Sequence, residues 1–281
     1  MFRTLILLSI LTSLLLAIGW FIGGIIGLIT ALILSVFINF VSYWYSDKIV
    51  LKLYGAKELN DKKLDEILEN LCQETNLPKP KLYLIDKSIP NAFATGRSPQ
   101  NSAIAVTKGL LELTKEELEG VLAHEMAHIK NNDVLISTIA AVIGGAISYI
   151  AQIGYWSLFM QGDNRNQQGS ILGFVLIAIF APIAALIVRS ALSRGREYQA
   201  DLTGALTTKN PNGLANALKK ISQVSKNYPI RGSAASAQLW IVNPLHSDWF
   251  THLFSTHPPI EKRIARLEQM QSRLDKEDYE E

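Results

Sequence analysis

The sequence predicts a mainly helical α+β protein in which four apolar helices carry a polar domain with a small sheet. Three observations predict it. Two apolar blocks, one at the start of the chain and one in its middle, are each long enough for a pair of membrane-crossing helices. The polar stretches after them alternate helical and strand patterns. Those two polar stretches also carry His and carboxylate side chains at helical spacing, which suits one site built from both. The organisation read from this is two apolar helices over 1–45, a first polar part over 46–133, an apolar hairpin over 134–188 and a second polar part over 189–281.

Composition sets the outer limits. Of the 281 residues 48% are hydrophobic, and the mean hydropathy is +0.17, a positive value that is too apolar for an ordinary soluble enzyme. A net charge of +2 gives no reason to expect a nucleic-acid partner. Cys72 is the single cysteine, which excludes an internal disulfide framework and any C-x-x-C metal knuckle. It sits on the apolar side of L-E-N-L-C and reads as an inert core thiol. Any metal must therefore be held by His and carboxylate.

In the first block Arg3 is the only charge before Asp47. About 20 residues cross a bilayer, so this block splits into two spans. They are read as Thr4–Ile18 and Phe21–Tyr43, turning at Gly19 and Trp20. Arg3 and the apolar core after it resemble the start of a signal peptide. No A-x-A site follows, and the segment is read as retained. Val134–Phe159 and Ile171–Val188 are the third and fourth spans, joined by polar Gln161–Ser170; Gly144, Gly145 and Pro182 are tolerated where membrane helices pack closely. Four spans return both polar parts to one side. Lys48, Lys52, Lys62, Lys63, Arg189, Arg194 and Arg196 lie there, against Arg165 on the other, so the positive-inside rule puts the polar parts in the cytoplasm. Tyr43, Trp44, Tyr45 and Trp156 read as interfacial aromatics.

In the first polar part Asn60 is expected to cap a helix with Leu64, Ile67, Leu68 and Leu71 on one face. Lys81–Asp86 and Ser102–Thr107 alternate like strands. Pro90–Gly96 between them admits two readings, a hairpin loop with a buried Phe93 or an edge strand that pairs with an extended peptide. Thr114 then opens a helix, with Glu117 completing a capping box and Leu118, Val121, Leu122 and Ile129 as its apolar stripe. On it stands H-E-x-x-H, formed by His124, Glu125 and His128. Residues four apart share a helix face, so both imidazoles can bind one zinc ion, with Glu125 beside them to take a proton from water.

A hydrolytic zinc site needs a third protein ligand and an open position. Directly after the fourth span comes S-R-G-R-E-Y-Q-A-D, with Glu197 and Asp201 four apart. Glu197 can be that ligand, and Asp201 can accept a hydrogen bond from a ligand imidazole and fix its tautomer. His128 stands just before the third span and Glu197 just after the fourth, so an antiparallel hairpin brings them together. Further on, Asn210-Pro211 opens an amphipathic helix with Leu214, Leu218 and Ile221. Ile230–His252 is irregular; His246 and His252 read there as surface or packing residues. Ser255–Pro259 opens the last helix, capped by Ser255 or Thr256, with Ile260, Ile264 and Leu267 as its buried stripe. His257 at its start admits two roles, packing or donation to the oxyanion of a tetrahedral intermediate.

Four segments together carry a family resemblance: Pro90–Arg97, Ala123–His128, Ser193–Asp201 and Phe254–Ile264. In this order, with four spans, the chain resembles the HtpX family of membrane zinc metalloproteases, related to the type I prenyl-protein (CAAX) proteases. The resemblance implies a cytoplasmic zincin-like domain of gluzincin type. In it His124, His128 and Glu197 bind one zinc ion and Glu125 is catalytic base and acid. It implies a multi-pass protein of the cell inner membrane acting on polypeptides, chiefly misfolded membrane proteins, in contact with lipid. It also favours the edge-strand reading, with Asn91, Ala92, Phe93 and Ala94 binding substrate. Two rival readings stand beside it. Processing of prenylated C-terminal peptides would need a larger membrane chamber than four spans provide. A silent zinc-stabilised adaptor would have no use for Glu125.

Overall fold

In the computed structural model the residues described are 2–144, 194–227, 239–242 and 258–277. The chain opens with helix α1, Phe2–Leu53, which is broken at Gly23–Gly24. Gly24 adopts φ 55° and ψ −134°, a region closed to any residue with a Cβ. The two arms fold back on each other: Asn39 Nδ2 donates to Thr12 Oγ1 at 2.8 Å. A Cβ on Gly19 or Gly27 would strike the other's carbonyl oxygen, so these glycines let the backbones touch. The expected turn at Gly19–Trp20 is therefore corrected to Gly23–Gly24. Gly19 serves close packing, and the chain reverses only where two adjacent glycines permit it. The second arm, Gly23–Leu53, is long and apolar enough to cross a membrane, and Ile25, Ile26, Ile33, Val36 and Phe37 on it are exposed. The first arm contains a shorter apolar helix, Thr4–Ala17.

Beyond α1 lies a four-stranded mixed sheet of β1 (Lys57–Glu58), β2 (Lys81–Ile85), β3 (Ala92–Ser98) and β4 (Asn101–Thr107), in the order β1-β2-β4-β3. β2 and β4 are parallel; β3 runs antiparallel to β4, with Ala94 opposite Ile104, and forms the outer edge. The edge-strand reading of the Pro90–Gly96 segment is thus the observed one, from Ala92 onward. Between β1 and β2 lies α2, Lys62–Thr75, whose N-cap is Asp61, not Asn60. Asp61 has the extended backbone, and its carboxylate accepts from Leu64 N–H at 3.0 Å.

A 3₁₀ turn, Lys108–Glu112, leads to α3, Lys115–Lys130, which carries the H-E-x-x-H motif and starts with the expected Thr114–Glu117 capping box. After it come α4 (Asp133–Gly144), α5 (Arg194–Thr208), α6 (Pro211–Asn227) and α7 (Ile260–Glu277). The third expected span is seen only as far as α4 reaches; the rest of it, the fourth span, and Ser255, Thr256, His246, His252 and His257 lie outside the described residues.

Period-2 alternation divides β3 between two cores. Ala92 and Ala94 face the larger one, built from α2, α3 and α6 with Leu68, Val121, Leu122 and Leu218. Phe93 faces the other, where the sheet meets the end of α1 through Val50, Leu51, Ile85 and Trp240. Cys72 is half-buried against the larger core, as expected of a packing thiol. α5 lies directly across α3: a Cβ on Gly204 would sit 3.0 Å from the His124 backbone nitrogen. That close approach brings the carboxylates of α5 onto the His-bearing face of α3.

Candidate metal centre

His124 Nε2 and His128 Nε2 stand 3.2 Å apart on α3. Glu197 reaches across from α5, its carboxylate 3.7 Å from His124 Nε2 and 3.5 Å from His128 Nε2. One donor atom from each lies within 4.8 Å of the others, the one such cluster of three or more among the described residues. With metal–ligand bonds near 2.0–2.2 Å, ligand atoms of a tetrahedral site stand about 3.3 Å apart. The observed spacing therefore fits a small divalent ion, and two imidazoles with one carboxylate leave a fourth position open.

Glu125 is buried on the same turn. Burial pushes its carboxyl up to about 7, and the Glu197 charge acts in the same direction, while His128 and the Ala94 backbone pull it down. Burial takes His124 down to about 4, which leaves its imidazole neutral, the form that binds metal. His128 is raised: burial works against its charge, but the Asp133 hydrogen bond and the charges of Glu197 and Glu125 outweigh it.

Both imidazoles are held from behind. Asp201, one turn after Glu197, places Oδ1 at 3.0 Å from His124 Nδ1, the contact expected from sequence. Asp133 lies 3.6 Å from His128 Nδ1 and accepts from Arg196 Nη1 at 3.1 Å. Arg196, counted by sequence among the charges flanking a span, is instead buried in this pair.

Arg263 of α7 is buried as deeply as His124, 1% exposed. Its Nε and Nη2 donate to Asp201 at 2.8 and 2.6 Å, and its Nη1 lies 3.4 Å from Glu197 and donates to the Ile241 carbonyl at 3.0 Å. Against burial, Arg263 and His124 hold the Asp201 carboxyl down at about 2. Sequence reasoning missed Arg263 and Asp133. A signal existed for Arg263: it falls on the Ile260, Ile264, Leu267 stripe, where a charge must be paired.

The edge strand passes beside this cluster. Ala94 lines a narrow cleft together with Glu125, His128, Glu197, Val134 and Leu239. Ala92 accepts a hydrogen bond from Ile241 N–H at 3.0 Å. Asn91 brackets Val242, donating to its carbonyl at 2.7 Å and accepting from its N–H at 3.4 Å. The Phe93 side chain is turned away, packed edge-on against Trp240 at 4.9 Å. Of the four residues expected to meet substrate, Ala94 alone lines the cleft; Asn91 and Ala92 hold the 239–242 segment against the strand.

Comparison with known proteins agrees with this geometry. The model of peptidase family M48 matches residues 58–271. A protease HtpX homolog of Desulfatibacillum aliphaticivorans is 51% identical over 241 residues, 83% of this chain and 78% of the relative. Another, of Aquifex aeolicus, is 49% identical over 87% of this chain and 84% of the relative. A third, of Sulfurihydrogenibium, is 46% identical over 97% and 96%. Among solved structures, the crystal structure of S. mikatae Ste24p is 20% identical with a TM-score of 0.47; the match covers 95% of this chain and 64% of that one. With the family match running from β1 into α7, across both halves of the His–Glu cluster, the chain belongs to peptidase family M48 and is a metalloprotease.

Proposed function

We propose that the chain is a multi-pass zinc endopeptidase of the cell inner membrane, with four spans and its catalytic parts, 46–133 and 189–281, on the cytoplasmic side. Its substrates are polypeptides, chiefly misfolded or damaged membrane proteins, and its working surface is in contact with lipid. The observation that carries this reading is the tetrahedral-edge spacing of His124, His128 and Glu197 around a buried Glu125.

In this reading His124, His128 and Glu197 hold the ion. A zinc ion there supplies a Lewis acid that polarises the scissile carbonyl and lowers the pKa of water. Glu125 takes the proton of the attacking water and delivers it to the leaving amine. Its buried position suits both duties, since a carboxyl near neutrality can accept and return a proton. Asp201 orients His124 and Asp133 orients His128, so each ring presents Nε2 to the same point. His257 donates to the oxyanion. Asn91–Ala94 aligns the substrate backbone beside Glu125.

The test is casein hydrolysis by the full chain in detergent, wild type beside Glu125→Gln. Activity in wild type alone, abolished by a chelator and restored by zinc, supports the reading and assigns the base. Glu125→Gln activity equal to wild type would remove Glu125 from that role. Stoichiometric zinc retained by His124→Ala, His128→Ala and Glu197→Ala would reject the ligand set.

A further inference from the structure

The second arm of α1 fixes where a bilayer interface meets this fold. Counted from Gly24 at 1.5 Å per residue, a hydrocarbon core of about 30 Å ends near Trp44. The side chains there suit that depth. Trp44 and Tyr45 are 42% and 46% exposed, and Tyr43 packs edge-on against Trp44 at 5.6 Å. Lys48 lies 5.4 Å from the Tyr45 ring. Amphipathic rings with a cation just beyond them mark a membrane–water boundary.

The edge strand is pinned to this boundary at one end and stands away from it at the other. The Arg97 guanidinium, near the end of β3, lies 4.4 Å from the Trp44 ring centroid. Phe93, near its start, packs on Tyr54 at 5.6 Å. From Trp44 to Tyr54 is about 15 Å of helix. From Phe93 to Arg97, which falls at the register shift between Gly96 and Ser98, is at most about 13 Å of strand. The two lengths agree, so β3 lies alongside the last turns of α1 and points its far end at the lipid surface.

Period-2 geometry then says which backbone groups a substrate can reach. The Ala92 carbonyl points to the open edge, because it accepts from Ile241. Ala94 and Gly96 therefore point the same way. Ala92 is already paired and Arg97 is stacked on the interfacial Trp44. Among the described residues, the stretch of edge open to a substrate strand runs from the Ala94 carbonyl to Gly96, between the 239–242 segment and the membrane surface, with the Ala94 N–H turned to Glu125. Ala94 is also the residue of β3 that lines the cleft with Glu125.

We propose that β3 is a ruler: because Arg97 on Trp44 sets its lower end at the interface and Ala94 meets the catalytic cleft, the enzyme cuts membrane-anchored polypeptides about 3–5 residues outside the bilayer. This rests on the protease reading above and narrows its substrate class. The preferred substrate is an extended juxtamembrane segment leaving a hydrophobic anchor. The distance from the interface, more than the side chains at the cut, selects the bond.

The experiment uses the full chain with zinc in lipid nanodiscs. The substrate is one hydrophobic span followed by an unstructured polar tail, with cut positions mapped by mass spectrometry. The tail sequence is then slid outward by a Gly/Ser spacer of about 8 residues, roughly 25 Å if extended. The expected result is cuts that stay about 3–5 residues from the interface and so move into the spacer. Cuts that travel outward with the tail sequence, or scatter along it, overturn the ruler. The same tail as a free peptide separates the two levels of the reading. Free tail cut by wild type and not by Glu125→Gln, with anchored cuts that ignore the interface, sinks the ruler alone; no cleavage of either substrate sinks the protease reading with it. Arg97→Ala is expected to leave free-tail cleavage unchanged and to lower cutting at the preferred anchored position about three- to five-fold, the factor of an exposed cation–π contact. An unchanged anchored cut pattern in Arg97→Ala would remove Arg97 from the device.

Discussion

Replacing Arg263 by Met tests whether α7 is part of the metal centre or only covers it. The guanidinium makes two hydrogen bonds to Asp201, one to the Ile241 carbonyl and a 3.4 Å contact with Glu197, all away from solvent. Met fills a similar volume and supplies none of them. The Asp201 carboxyl is held at about 2 from an ordinary 3.8, with Arg263 the larger of the two helpers beside His124. That displacement, shared with His124, is worth about 2 kcal/mol. An unsatisfied Ile241 carbonyl adds about 1 kcal/mol. The loss of roughly 3 kcal/mol lies at the low end of the range of about 3–5 kcal/mol for breaking a buried ion pair from one side. At about 2–4 °C per kcal/mol for a chain of this size, Tm should fall by roughly 6–12 °C. The assay is thermal unfolding in detergent with a chelator present, so that bound metal does not enter. The double variant Arg263→Met with Asp201→Asn removes the orphaned charge and should recover more than half of the loss. A single-variant Tm within about 2 °C of wild type, or a double variant no better than the sum of its parts, would refute the pairing energy assigned to Arg263.

Three other expectations can be checked separately. Asp133→Asn keeps the shape but weakens the partner of His128 and Arg196; zinc affinity by chelator competition should drop about 10–100-fold with little change in the chelated-state Tm, and an unchanged affinity would mean that Asp133 does not orient the ring. Gly24→Ala must enter a backbone region closed to it and should cost about 1–3 kcal/mol, seen as lost Tm or yield, whereas Gly23→Ala, at φ −138°, should be tolerated; equal behaviour of the two would put the reversal elsewhere. The Cys72 thiol is raised first of all by burial, so less of it is thiolate than in a free cysteine, and iodoacetamide at pH 8 should label it several-fold more slowly than a model thiol; labelling at the free rate would contradict its packing.

Most of what is legible in the sequence of this molecule rests on partners near in the chain; the exception is the approach of Glu197 and Asp201 to the histidines of α3, which an antiparallel hairpin between the two motifs implies. His124 and His128 are one turn apart, as are Glu197 and Asp201, and a helix period turns that spacing into a face without knowledge of the fold. Thr114 finds Glu117 three residues away. The parts that stayed hidden depend on contacts across 60 residues or more, as with Arg263 and Asp201 or Arg196 and Asp133. Arg263 stands on the apolar stripe of its helix, which marks it as a charge that needs a partner, but only the fold shows which carboxylate that partner is. The turn of α1 was misplaced for the opposite reason. Gly19 and Gly23–Gly24 both offer glycine, and sequence cannot tell a glycine used for close packing from one used for its backbone freedom.

That division has a mechanical consequence for the site. In the proposed reading the motif on α3 brings two of the three metal-binding side chains and the base, but nothing within α3 fixes the angle of either imidazole. Asp201 and Glu197 reach it through α5, whose approach depends on the missing side chain at Gly204. Asp201 is in turn held by Arg263 of α7, which also grips Ile241, and Ile241 caps the upper end of the edge strand at Ala92. One buried guanidinium therefore connects the tautomer of His124 to the position of the strand on which a substrate would lie. Loosening α7 should disturb metal binding and substrate alignment together, whereas loosening Asp133 should disturb the metal alone. The ratio of lost zinc affinity to raised KM in Arg263→Lys and Asp133→Asn measures this directly. Equal ratios in the two variants would mean that the strand and the metal centre are held independently.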